Sequence, residues 1–279
     1  ELDMLDASPP CASFSTAGKG QSKTRAKNVV YSETRQDNVG TLIHDAVFMT
    51  NVMQPRVAII ENVAAIKSSP VYQEACDRLR REGFLVFAKV LSSSNFGVPQ
   101  RRKRLFTLAV RSDIAATAGI SSEKGLTDIF PEGSTYEPTV RNAIGTLDIE
   151  PRERNMLLGA IRKSAQYEFA NLLTTDPTNC IKIGHIAQGW TSDFNLVRAA
   201  WDHPCPTLTQ LGQQLSRSGV IHPSENRKFA ISELKRLTGL PDDYILTGNF
   251  NQRAERITRM VPPQLTKALS ESIYEKVLK

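Results

Sequence analysis

Arg56 to Val63 reads RVAIIENV, and this stretch decides the fold. Val57 to Ile60 form a short unbroken apolar run without polar alternation, the pattern of a strand covered on both faces. Such strands belong to sheets wrapped by helices, and open α/β sheets hold their ligands at the carboxyl ends of the strands. Glu61 and Asn62 stand at that end. A carboxylate directly after a buried strand is costly unless it is paired or used, so Glu61 is a candidate for chemistry. Helix capping by Glu61 or Asn62 is the plainer alternative.

The flanking segments extend the same pattern. Thr41 to Met53 carries apolar residues at Leu42, Ile43, Ala46, Val47 and Met53 and predicts an amphipathic helix. Leu2 to Ala7 predicts a strand that ends in a Pro9-Pro10 turn. A helix near Val71 to Glu82 and strands at Phe84 to Leu91 and Leu105 to Val110 complete an α/β fold, read as a parallel sheet wrapped by helices. Residues 16–40, rich in Gly, Lys, Ser, Thr, Asn and Gln, predict a mobile loop. From Ser112 to Cys205 the pattern weakens, which predicts a second, smaller domain of irregular, strand-rich structure. Gln264 to Leu278, after Pro262-Pro263, predicts a helix that packs on the first domain. The expected division is 1–111, 112–205 and 206–279.

The chain has 279 residues, 40% of them hydrophobic, and a net charge of +6. It can bury a sizeable core, and its basic clusters favour a polyanionic partner. Cys11, Cys76, Cys180 and Cys205 lie far apart without paired spacing, so a reduced cytoplasmic setting without disulfides is expected. Cys180, His185, His203 and Cys205 match no standard zinc pattern, and no metal is expected. No apolar run approaches the roughly 18 to 20 residues of a membrane helix.

Two further strings bear on chemistry. SPPCASFS, Ser8 to Ser15, puts Cys11 on a stiff turn at the mouth of the sheet. QRRKR, Gln100 to Arg104, precedes the strand LFTLAV, and the two-residue period puts Arg102 and Arg104 on one side. Paired guanidinium groups suit phosphate and carbonyl oxygens. Each feature alone has a bland reading: a core thiol, a helix cap, a solvated basic surface.

In this order the motifs resemble the cytosine carbon-5 DNA methyltransferases. PPC followed by FS, then ENV, then FGVP before Gln-x-Arg-x-Arg, then PTLT at Pro206 to Thr209, SELKRLTGLPDDY at Ser232 to Tyr244 and VPP at Val261 to Pro263 span nearly the whole chain. The resemblance implies a Rossmann-like methyltransferase sheet with a smaller target-recognition domain. Residues 1–111 would be the catalytic domain, 112–205 the linker and target-recognition region, and 206–279 a motif region returning to the catalytic domain.

It also implies roles. Cys11 would add to carbon 6 of a flipped cytosine, and Glu61 would hold ring nitrogen 3 and the exocyclic amine and donate a proton, with Arg102 and Arg104 as guanidinium partners. Pro10, Ser13, Asn62 and Gln100 would line the base, and Pro9, Val261 and Pro262 would touch the cofactor, S-adenosyl-L-methionine. The substrate would be double-stranded DNA, the setting a restriction-modification system. The 16–40 loop would close on the vacated duplex, and Arg198, Lys182 and Gln188 are candidate groove contacts.

The family's usual Gly-rich first turn and acidic second-strand residue are not found, so the sheet is expected to be incomplete at its N-terminal side, with a second chain as a possible source of the cofactor half. Ala12 stands where Gln is common, Thr258-Arg259 where Gly-Asn is common, and Val39 where Arg is common. Two alternatives stay open: a catalytically silent DNA-binding subunit or fragment needing a partner, and a transfer-RNA cytosine-5 methyltransferase.

Overall fold

The computed structural model describes residues 1–10, 28–30, 35–37, 41–164, 167–186, 196–215 and 218–279. The chain divides into two compact units, Glu1–Leu91 with Lys103–Glu132 and Lys267–Lys279, and Ser92–Arg102 with Gly133–Thr266.

The first unit contains β1 (Met4–Ala7), β2 (Asn28–Val30), β3 (Arg35–Asp37), α1 (Leu42–Met53), β4 (Val57–Asn62), α2 (Pro70–Arg81), β5 (Phe84–Ser92, its last residue in the second unit), β6 (Lys103–Arg111) and α3 (Ser112–Thr117). A four-stranded sheet runs in the order β1-β4-β6-β5. β1 lies parallel to β4 with Ala7 opposite Ile60, whereas β6 runs antiparallel to β4 with Glu61 opposite Phe106. The sheet is therefore mixed, not purely parallel as the sequence pattern suggested. Between β5 and β6 stands only Ser93 to Arg102 with one 3-10 turn, Ser93–Phe96, too little chain for a helical crossover.

Every residue of β4 is buried, as its unbroken apolar run requires. One face, Ala58 and Ile60, joins Ile43, Ala46 and Val47 of α1 and Tyr72, Ala75 and Leu79 of α2. α2 starts where Ser69 Oγ accepts the Tyr72 N–H and Pro70 occupies the first turn, a cap worth about 1 kcal/mol. Among the described residues β1 has a partner on one edge only, and α1 leaves Phe48, Met49, Val52 and Met53 exposed. The expected loop over 16–40 lies largely outside the described residues; β2 and β3 within it pair antiparallel.

The second unit holds α4 (Val140–Ile144), α5 (Pro151–Arg162), α6 (Tyr167–Leu172), β7 (Ile181–Lys182), β8 (Val197–Arg198), β9 (Val220–Ile221), α7 (Ile231–Thr238) and α8 (Phe250–Arg259). It is helical with one small sheet, β7-β8-β9, of two-residue strands. The strand-rich expectation for 112–205 is thus corrected: apolar spacing in α5, with Leu157 and Ile161 buried, follows a helical period that Pro and Gly punctuation obscured. Its larger core gathers Val140, Leu157, Phe229, Leu234, Leu237 and Ile257. Residues 206–266, expected to return to the first domain, group with this unit; α9 (Pro263–Ile273) carries the chain back, and Ser272 Oγ donates to the Ile129 carbonyl at 2.5 Å.

Candidate active site

Parallel pairing of β1 with β4 brings the carboxyl ends of RVAIIEN and MLDA to the same edge of the first unit's sheet, and antiparallel β6 begins at that edge. Arg104, at the start of β6, and Glu61, at the end of β4, therefore face each other. Arg104 Nε lies 2.9 Å from Glu61 Oε1, with the two side chains 15% and 12% exposed. Both charges are largely withdrawn from water, where an ion pair gains strength and removal of one partner leaves a costly orphan.

Asn62 ties the neighbouring strand to this pair. Its Nδ2 donates to the Pro9 carbonyl at 3.2 Å, while its Oδ1 accepts the Val63 N–H at 2.9 Å. One amide thus fixes both the turn after β4 and the Pro9-Pro10 turn that leads into Cys11. Cys11 and Ser13 lie outside the described residues; Pro10, half-buried, is the last described residue before the thiol. Glu61, Asn62, Arg104 and Pro9 are together in the first unit.

The remaining named residues belong to the second unit. Arg102 is 4% exposed and donates from Nη1 to the Leu208 carbonyl and from Nη2 to the Arg259 carbonyl, both at 3.1 Å. Its two-residue spacing from Arg104 does not put the two guanidinium groups in one set of contacts. Gln100 is fully buried, with Nε2 directed at the Leu237 carbonyl at 3.4 Å. Pro262 is buried and its carbonyl accepts the Leu265 N–H at the start of α9; Val261 is half-buried.

Other side chains escaped sequence reasoning. Glu137 takes Arg101 through Nε and Nη2 and also accepts Ser94 Oγ, and Arg101 beside it holds its carboxyl below the usual range. The amide role of Asn62 left no sequence signal, because the acceptor is a backbone carbonyl 53 positions away.

Of the groove candidates, Lys182 is exposed and Gln188 lies outside the described residues. Arg198 is fully buried, so its assignment as a groove contact is corrected. Cys180 and Cys205 are free thiols, and burial pushes Cys205 well up from its ordinary range. Among the described residues no group of three or more His, Cys, Asp or Glu is gathered as for a metal ion, and no helix is long and apolar enough to cross a membrane.

Comparison with known proteins supplies the family. The model of the C-5 cytosine-specific DNA methylases matches residues 1–275. Type II methyltransferase M.Sau96I of Staphylococcus aureus is 25% identical over 98% of this chain and 60% of its own length. Type II methyltransferase M1.HphI of Haemophilus parahaemolyticus is 26% identical over 99% of this chain and 69% of its own. The chain thus spans about three fifths to two thirds of these relatives.

Among solved structures, a DNA modification methyltransferase encoded within an Escherichia coli prophage superposes with a TM-score of 0.61 at 17% identity, covering 99% of this chain and 80% of that one. The Dnmt2 methyltransferase of S. pombe gives 0.57 at 16% identity over 99% and 79%. These likenesses establish the Rossmann-like α/β methyltransferase fold. With the family model matched along nearly its full length, this chain belongs to the C-5 cytosine-specific DNA methylase family.

Proposed function

We propose that this chain carries the base-activating half of a DNA cytosine carbon-5 methyltransferase reaction, on a cytosine swung out of double-stranded DNA. The observation that carries the proposal is the Glu61–Arg104 pair at 2.9 Å, at the sheet edge where Asn62 holds the turn leading to Cys11. Target atoms of a stacked base are out of reach, so the base must leave the duplex.

Cytosine carbon 5 is a poor nucleophile. The Cys11 thiolate adds to ring carbon 6, the displaced electron pair moves through carbon 5 and carbon 4 toward ring nitrogen 3, and Glu61 protonates that nitrogen. The product is an enamine whose carbon 5 can attack a methyl sulfonium. Arg104 fixes the carboxyl plane of Glu61 from one side and leaves other N–H groups for the base carbonyl oxygen. After substitution, loss of the carbon-5 proton expels the thiolate, and the proton on nitrogen 3 returns to Glu61.

S-adenosyl-L-methionine is the methyl donor that the family implies. Pro9, Val261 and Pro262 do not by themselves fit it: they offer apolar rings, one aliphatic side chain and carbonyl oxygens, and the Pro9 carbonyl is already taken by Asn62. An adenosine sulfonium asks for partners to its ribose hydroxyls and its charge. Further residues, of the same polypeptide or of a second chain, would complete that site, and no step above is routed through it. The Type II names of the relatives favour modification of short duplex sites in a cytoplasmic restriction-modification system.

Duplex DNA that carries 5-fluorocytosine tests the proposal, because fluorine at carbon 5 cannot leave as a proton. With S-adenosyl-L-methionine present, a covalent adduct that Cys11→Ser abolishes is expected. An adduct that survives in Cys11→Ser would refute it.

A further inference from the structure

Arg198 is the largest fully buried side chain among the described residues, at 0% exposure, and it stands on β8 in the second unit. Its partners are all neutral oxygens. Nε donates to the Leu173 carbonyl at 3.1 Å; Nη1 donates to the carbonyls of His222 at 2.9 Å and Glu225 at 3.1 Å, with Pro223 at 3.4 Å; Nη2 donates to the Ala170 carbonyl at 3.0 Å and to Asn226 Oδ1. A guanidinium has five N–H groups, and these contacts use them all, so none remains for a phosphate or a base.

The acceptors come from two places, the end of α6 (Ala170, Leu173) and the turn 222–226. Only a planar, five-donor fork can gather so many divergent carbonyls; an ammonium has three donors. Each gathered segment then contributes to one exposed cluster. Asp176, three residues past Leu173, and Ser224, inside the turn, both accept the Trp201 indole N–H at 2.9 Å. Arg141 lies over the Trp201 ring, 5.4 Å from its centroid, and pairs with Asp202 through Nε at 2.7 Å and Nη2 at 3.0 Å. Arg141, Asp176 and Asp202 are exposed and Trp201 is half-buried. An aromatic face, a guanidinium and a carboxylate are thus held in fixed relation by a charge that never meets solvent.

We propose that Arg198 is a positioning residue for target recognition: by clamping the carbonyls of Ala170–Leu173 and His222–Asn226 it fixes the Arg141–Trp201–Asp202 platform in the orientation that discriminates one duplex sequence from another. The inference rests on the reading of this chain as a DNA methyltransferase and gives Arg198 a role through other residues, with no DNA contact of its own.

Salt dependence separates such a role from a direct contact. The preferred duplex of the unaltered full chain is selected from a randomised pool. Binding to it and to single-base-changed duplexes is then titrated over a range of salt for the unaltered chain, Arg198→Lys and Asn226→Ala. Asn226→Ala keeps the guanidinium and removes one half-buried acceptor, so it tests the clamp even where Arg198→Lys fails to fold.

Both variants are expected to lose discrimination, by roughly tenfold or more in Arg198→Lys, the worth of a good base contact, while the slope of log K against log salt stays that of the unaltered chain. A slope reduced by about 1 in Arg198→Lys, the signature of one lost phosphate contact, would overturn the inference. So would unchanged discrimination in a folded Asn226→Ala. Failure of the unaltered chain to enrich any duplex would instead remove the methyltransferase reading beneath it.

Discussion

Arg104 Nε and Glu61 Oε1 are 2.9 Å apart, joined from the start of β6 to the end of β4. Strand register makes this pair: β6 runs antiparallel to β4, and Asn62 stands opposite Leu105, the residue after Arg104. The pair therefore has a geometry independent of side-chain search, which a proton donor needs.

Glu61→Gln keeps the size and one acceptor but cannot give up a proton. Single-turnover methylation of duplex DNA is expected to slow by about 100- to 10,000-fold, the range of general acid catalysis, with DNA affinity nearly unchanged. Arg104→Lys, which loses the planar fork, is expected to slow the same step by roughly tenfold or more.

Asn62→Asp puts a carboxylate where the amide N–H meets the Pro9 carbonyl at 3.2 Å. Two acceptors then face each other. Chemical denaturation should show a loss of about 1–2 kcal/mol, and the turnover rate should fall with the misplaced Cys11 turn. Asn62→Ala, with no repulsion, should fall between the two.

His222 gives a pH dependence. Burial, with Arg227 nearby, lowers its pKa from 6.5 to about 4. Its Nδ1 accepts the Ser224 N–H at 3.2 Å, so the folded state keeps the ring neutral. Between pH 6.5 and about 4 the unfolded chain binds a proton that the native chain does not, so this group lowers stability as pH falls through that window and has no effect above it. Urea midpoints measured at pH 7 and pH 5 should separate by more in the unaltered protein than in His222→Asn.

Gly239 ends α7 with φ +80°, and a Cβ there would lie 2.2 Å from Gln264 Oε1. Gly239→Ala must strain the left-handed backbone and push aside the amide that donates to the Gly239 carbonyl at 2.8 Å. A loss of about 2 kcal/mol in urea unfolding is expected.

Much of the first unit was legible because its elements are local and strongly patterned. RVAIIEN announced a buried strand, and Ser69-Pro70 marked the start of α2. The direction of β6 was not legible, since a strand's apolar run carries no sign of orientation. The second unit read poorly for another reason: its short helices and two-residue strands are fixed by long-range contacts, such as the carbonyls that Arg198 collects from positions 170 to 226. Arg198 as a bare sequence looks like any basic surface residue, and only its burial assigns it. Glu61 and Arg104 were legible as chemistry-bearing residues, while the separate contacts of Arg102 depend on Leu208 and Arg259, more than a hundred positions away.

Exchange at carbon 5 of cytosine tests the central claim most directly, because it needs no methyl donor. Addition of the Cys11 thiolate to carbon 6 would make carbon 5 basic enough to take a proton from water and lose the original one. Duplex DNA of mixed sequence, tritiated at carbon 5 of cytosine, should release tritium to water with the unaltered chain, more slowly with Glu61→Gln and not at all with Cys11→Ser. Release by Cys11→Ser at the rate of the unaltered chain would contradict the account.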